Sequence, residues 1–146
     1  MTASANPQDQ PSRASVIFTY LAALPCLAGA LGVWLLASPR REAALTLLNS
    51  YIATLVVLIA ATVYAANRNL APGRDWARGL APGLLVISAW LAMNLPAGGG
   101  LVLSSAALLL GLWLNRPGHG HRYFNLQCKF TTIVLLASGL SVWALI

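Results

Sequence analysis

The sequence predicts an all-α integral membrane protein, a bundle of five transmembrane helices with the N-terminus inside and the C-terminus outside. Only 8% of the residues are charged and the mean hydropathy is +0.72, whereas a soluble globular domain has about 25% charged residues. Every charged residue lies in the N-terminal tail, in a connection or at the entrance of an apolar stretch. A water-soluble domain could not hide this much apolar surface, so the pattern indicates a bilayer.

Five apolar stretches account for most of the chain, namely 15–37, 43–66, 80–95, 98–114 and 128–146. Crossing the hydrocarbon takes about 20 apolar residues as a helix, with roughly 17 to 25 tolerated. In lipid the backbone must satisfy its own hydrogen bonds, and no stretch has the alternation of a barrel strand, so each is predicted to be a helix.

The third and fourth stretches lie near the short limit, although the third could begin at Trp76 if Asp75 caps the helix. The turn Pro96-Ala97-Gly98-Gly99-Gly100 joins them and forces a tight helical hairpin. We expect two short spans, and the alternative is a re-entrant pair that does not cross.

The remaining segment, residues 1–14, is a polar leader with two prolines that we expect to be disordered. The first stretch has 23 residues, whereas the apolar region of a secretory signal peptide has about 7 to 15. The sequence therefore predicts a leader followed by one transmembrane domain over residues 15–146.

The distribution of Arg and Lys predicts the orientation. With five spans, the tail shares one side with the second and fourth connections, and the first connection lies on the other. The first side carries seven positive residues and the second only two. These are Arg13, Arg68, Arg74, Arg78, Arg116, Arg122 and Lys129 against Arg40 and Arg41. The net charge of +6 follows from this bias and gives no reason to predict nucleic-acid binding.

Tryptophans are typical of membrane interfaces, and four of the five fit this model. Trp34 and Trp143 fall at outer ends of their spans, and Trp76 and Trp113 at inner ends. Trp90 lies within the third span, where we expect it to pack against another helix.

Small residues should mark the faces where helices meet, because lipid tails are as apolar as Leu and give no hydrophobic driving force. In the first span these are Ala28, Gly29 and Gly32, just after Pro25. The later spans contain Pro82, Gly83, Ser104, Ser105, Gly111, Thr131, Thr132, Ser138, Gly139 and Ser141.

No ionisable residue lies deep within a span, which argues against proton-coupled carriers, voltage sensors and charge-pairing transporters. The polar candidates for a site are Asn49, Tyr51, Tyr64, Asn94, Asn115 and Tyr123. Asn49 and Asn94 lie at similar depth and could hydrogen-bond each other, and the alternative is contact with a ligand.

We predict no catalytic, cofactor or metal site. His119 and His121 are the only histidines, and a zinc site needs three or four protein ligands. Cys26 lies about 16 Å into the first helix, and Cys128 lies at the inner entrance of the fifth. They are too far apart for a disulfide, so both should be free thiols.

Several short motifs resemble a small multi-pass family of unknown function that includes transmembrane protein 69 of mitochondria and bacterial relatives. The likeness covers roughly residues 20–145. It rests on Leu24-Pro25, Tyr51-Ile52-Ala53, Gly79-Leu80-Ala81-Pro82-Gly83-Leu84-Leu85, Trp90, Tyr123, Leu126 and Phe130-Thr131.

The chain also departs from this family pattern. A Gly-Gly and a His-Trp in the second helix read Ala60-Ala61 and Val63-Tyr64 here. An Asp that closes the fourth span reads Asn115, and an Arg near the last span reads Gln127. The resemblance implies five spans and adds no mechanism.

We therefore expect a non-enzymatic accessory or assembly component of a membrane complex, with a membrane-protein partner or a second copy beside it. The alternative is a small transporter or channel subunit for an uncharged solute, and an enzyme acting on lipid or quinone ranks third. Eight Arg against one Lys, with abundant Ala, Leu and Gly, favours a bacterial cytoplasmic (inner) membrane.

Overall fold

The computed structural model describes residues 13–67, 80–115 and 121–145, which form five α-helices. They are α1 (Arg13–Leu35), α2 (Arg40–Asn67), α3 (Ala81–Asn94), α4 (Ala97–Asn115) and α5 (His121–Trp143). No strand occurs in these three segments. The predicted all-α class is confirmed.

Four helices, α1, α2, α4 and α5, are long and apolar enough to cross a membrane. The exception is α3, which has 14 residues and a length of about 21 Å, against a hydrocarbon thickness of about 30 Å. These four helices indicate a multi-pass membrane protein. The fifth apolar helix, α3, is shorter than a full span.

The glycine run between α3 and α4 belongs largely to a helix. We predicted a turn over 96–100, but α4 begins at Ala97, and the amide of Gly100 donates to the Pro96 carbonyl at 2.9 Å. The chain therefore reverses over only Leu95 and Pro96, which keeps α3 and α4 close together.

The two central helices are α2, which packs against α1, α3 and α4, and α4, which packs against α2, α3 and α5. The helix α5 packs against α1 and α4 and closes a ring of four helices in the order α1, α2, α4, α5. The helix α3 lies outside this ring, against α2 and α4.

Small residues at two depths show how α3 runs. A methyl group at Gly100 would collide with the carbonyl oxygen of Ala92 and with Asn49. At the other depth, a methyl group at Gly111 would lie 2.6 Å from Ile59 and 3.5 Å from Leu85. The helix α3 is therefore antiparallel to both α2 and α4 between these depths.

The contact between α1 and α2 also depends on small residues. Gly29 lies against Leu48, and Gly32 lies against Ala44. Both belong to the predicted contact face of α1. Ala28 was predicted to share that face but is exposed.

Large apolar side chains cover the outside of all five helices. Examples are Phe18, Leu47, Trp90, Trp113 and Trp143, one on each helix. A continuous apolar surface of this kind is typical of lipid contact. Trp90, expected to pack against another helix, does not do so within this chain, because its side chain is 63% exposed.

Candidate functional site

Asn49 joins three helices near the end of the bundle where α2 begins. Its side chain is 4% exposed, and its Nδ2 donates to the Ala92 carbonyl of α3 at 2.8 Å. The Ser104 hydroxyl of α4 donates to Asn49 Oδ1 over a longer 3.4 Å. Gly100 leaves room for this contact. Asn49 therefore tethers α2 to the α3–α4 hairpin.

Asn94 takes no part in this cluster. It is exposed, and its Nδ2 donates to the Trp90 carbonyl of its own helix at 2.8 Å. The suggested bond between Asn49 and Asn94 is wrong. Asn94 follows Ala92 by two residues, which turns it about 200° around the helix and away from α2.

Tyr51 ties α2 to α1. Its hydroxyl donates to the Ala22 carbonyl at 2.7 Å, three residues before Pro25, whose ring removes one backbone donor from α1. Tyr64 is exposed. The backbone of Tyr123 lies in α5, but its side chain is outside the described residues.

A pocket of about 490 Å³ lies at the opposite end of the bundle from Asn49. Its walls come from the first turns of α1 and α5, the second half of α2 and the last residue of α4. They are formed by Ser15, Phe18, Thr19, Ala22, Leu55, Leu58, Ile59, Thr62, Asn115, Leu126, Gln127 and Phe130. These walls are mainly apolar, and none of their side chains is charged.

The deepest polar side chain of this pocket is Asn115, which is 2% exposed. Its Nδ2 donates to Gln127 Oε1 at 2.9 Å, whereas its Oδ1 is buried without any partner. A buried acceptor without a hydrogen bond costs about 1–3 kcal/mol. A ligand that donates a hydrogen bond to this oxygen would remove the cost.

Of the six predicted site candidates, the pocket contains Asn115 alone; the sequence does not single out Thr19 or Gln127 as site residues. Gln127 appeared only as a departure from the family pattern. Their position along the helices is the feature that could have pointed to the pocket. These side chains lie near helix ends, and an up-and-down bundle brings those ends to the same side of the membrane. Nothing in the sequence pairs Asn115 with Gln127, since residues 116–120 separate their helices.

One pair of hydroxyl groups joins α4 and α5. Ser105 and Ser138 lie 2.9 Å apart through their Oγ atoms, whereas the Ser141 hydroxyl donates to the Ala137 carbonyl within α5 at 2.8 Å. Thr131 is buried, and its hydroxyl has no partner. Ser104, Ser138 and Ser141 are buried as well, whereas Thr132 and Gly139, predicted to lie at helix contacts, are exposed.

Cys26 and Cys128 are both free thiols. The side chains described here contain no group of three or more His, Cys, Asp or Glu that could hold a metal ion. His119 and the side chain of His121, on which the metal argument rested, lie outside the described residues.

The chain matches no protein-family model, and it has no significant similarity to a curated protein or to a solved structure. The resemblance to the transmembrane protein 69 family stays a prediction.

Proposed function

We propose that this protein is a non-enzymatic accessory component of a membrane complex in the bacterial cytoplasmic membrane, and that α3 is its docking helix. The observation that carries the proposal is the position of α3. It lies outside the ring, against α2 and α4, and its outer face exposes Leu84, Ile87 and Trp90.

The length of α3 gives a physical reason for a partner. A helix shorter than the hydrocarbon is in mismatch with the bilayer, and association with another helix is one way to relieve it. Trp90 lies two residues deeper than Ala92, which contacts Asn49, nine residues into α2. Trp90 is thus about 16 Å from the charged start of α2, deeper than an interfacial belt, and suits a helix–helix contact.

Purification in mild detergent from the native host tests this proposal, with mass spectrometry and native sizing. We expect a stoichiometric membrane-protein partner that Trp90→Ala releases, with affinity falling about tenfold or more. Trp113→Ala is the matched control, since both side chains are 63% exposed. A lone stable monomer in every detergent, or equal loss in both variants, contradicts the proposal.

We also propose five crossings, with the N-terminus inside and the C-terminus outside. The charge bias of seven against two supports this orientation. The antiparallel course of α3 beside α2 and α4 supports a chain that reverses at every connection.

A second candidate function, a transporter or channel subunit for an uncharged solute, is favoured by the uncharged pocket. Asn49 and Asn94 do not line it. Flux of glycerol or urea into proteoliposomes should therefore fall in Asn115→Leu and stay unchanged in Asn94→Leu. Equal flux in both variants and in protein-free vesicles removes this candidate.

A further inference from the structure

The pocket between α1, α2 and α5 has the dimensions and composition of a small-molecule site. Its volume of about 490 Å³ falls within the roughly 300–1,000 Å³ of ligand pockets, which are mostly apolar with a few placed polar groups. Phe18 and Leu58, two of its wall residues, are largely exposed. The pocket can therefore be reached from the outside of the bundle.

Among the described wall residues of the pocket, the buried polar atom without a partner is an acceptor, Asn115 Oδ1. The Thr19 hydroxyl donates to the Ser15 carbonyl, and the Thr62 hydroxyl donates to the Ile59 carbonyl, each at 2.8 Å. The Nδ2 of Asn115 donates one hydrogen bond, to Gln127 Oε1. Asn115 Oδ1 is buried and has no partner, so a bound molecule that donates one hydrogen bond at this wall would satisfy it.

The charge of the ligand follows from the walls. No Asp, Glu, Lys or Arg is among the described residues that line the pocket, and an ion placed against apolar walls is unfavourable. Phe18, Leu55, Leu126 and Phe130 offer apolar surface instead. A neutral molecule with an apolar body matches this environment.

We propose that the pocket binds a neutral, membrane-soluble alcohol, with its apolar chain against Phe18 and Phe130 and its hydroxyl donating to Asn115 Oδ1. This proposal does not depend on the accessory role of α3, because none of the pocket walls comes from that helix.

The test uses the full chain in phosphatidylcholine nanodiscs, since that lipid has no hydrogen-bond donor. The probes are a long-chain alcohol with a diazirine in its chain and the methyl ether of the same molecule. After irradiation, mass spectrometry locates the label. We expect the alcohol to label peptides that contain Phe18 and Phe130, and the ether to label them about tenfold less.

Three variants check that the label reports this pocket. Asn115→Leu should lower alcohol labelling about tenfold, to the level of the ether. Ala22→Leu should lower labelling by filling the pocket, whereas Ala106→Leu, at an exposed position of α4, should leave it unchanged. Equal labelling by the two probes in the unmodified chain overturns the proposal, and so does label spread evenly over the exposed face of α3.

Competition identifies the source of the alcohol. Unlabelled dioleoylglycerol that removes the label points to a membrane lipid, and octanol that alone removes it points to a free small alcohol. Either result supports the site. If neither competes at concentrations well above that of the probe, the proposal is wrong.

Discussion

Gly100 is a single residue on which the contact between α3 and α4 depends. It stands where the Ala92 carbonyl and the Asn49 side chain meet α4, with no space for a methyl group. The neighbouring Gly99 has no such contact within 4 Å. A side chain can therefore be accommodated at Gly99 but not at Gly100, although the two glycines are adjacent in one helix turn.

We predict that Gly100→Ala lowers the free energy of unfolding by about 1–3 kcal/mol, because the added methyl overpacks a contact with backbone. Gly99→Ala should have no such cost and can gain up to about 1 kcal/mol from helix propensity. Unfolding in mixed micelles by SDS titration measures both variants. Equal stability of the two would show that α3 and α4 do not approach at Gly100.

The hydrogen-bonded pair of Asn115 and Gln127 joins α4 to α5. The resemblance implies an Asp and an Arg at these two positions, and the structure places the present side chains 2.9 Å apart. The two departures from the family pattern are therefore partners, and a neutral amide pair stands where the pattern implies opposite charges.

A double-mutant cycle tests this pairing. Asn115→Asp and Gln127→Arg should each destabilise the protein, because each places a charge without its partner. The double variant should recover part of the loss, with a coupling energy of about 0.5–3 kcal/mol measured by SDS titration. Losses that simply add would mean that the two side chains act independently.

At the scale of the helices, the hydrogen bond between Tyr51 and Ala22 fixes α2 against α1 near Pro25. Tyr51→Phe removes the hydroxyl and should lower the free energy of unfolding by about 0.5–1.5 kcal/mol. Tyr64→Phe is the control, since Tyr64 is 58% exposed, and it should change stability little. Thermal unfolding in one detergent compares them, and an equal shift in both contradicts the role of Tyr51.

The existence of the helices could be predicted from sequence, but their inward faces could not. Charged residues bound the first two apolar stretches, which places α1 and α2 to within a few residues. Lipid is as apolar as a protein core, so apolar periodicity does not mark the buried side. The expected positions of Trp90 and Ala28 are wrong for this reason. Small size correctly marks the buried Ser104 and Ser138, but it also selects Thr132, which is exposed.

The polar partners were the least predictable part of the site. Asn49 and Asn94 share a depth, yet rotation about α3 separates them, and Asn49 bonds to a backbone carbonyl that no side-chain pattern reveals. The pocket arises where four helix ends meet. That arrangement follows from the packing order of the ring, which the sequence does not state.

At the scale of the whole molecule, the number of crossings decides where the two termini lie. Five crossings place them on opposite sides, and four crossings place them on the same side. A C-terminal phosphatase fusion should be active and a C-terminal green fluorescent protein fusion dark, with the reverse at the N-terminus. Matching results at both termini would mean that α3 does not cross.

The contact between α1 and α5 has a consequence for the order of events during synthesis. It joins the first helix to the last one described, and the pocket takes its walls from both. A nascent chain that has released α1 to α4 into the bilayer still lacks Gln127 and Phe130. Ligand binding, which stabilises only the state that binds, would then distinguish finished chains from unfinished ones.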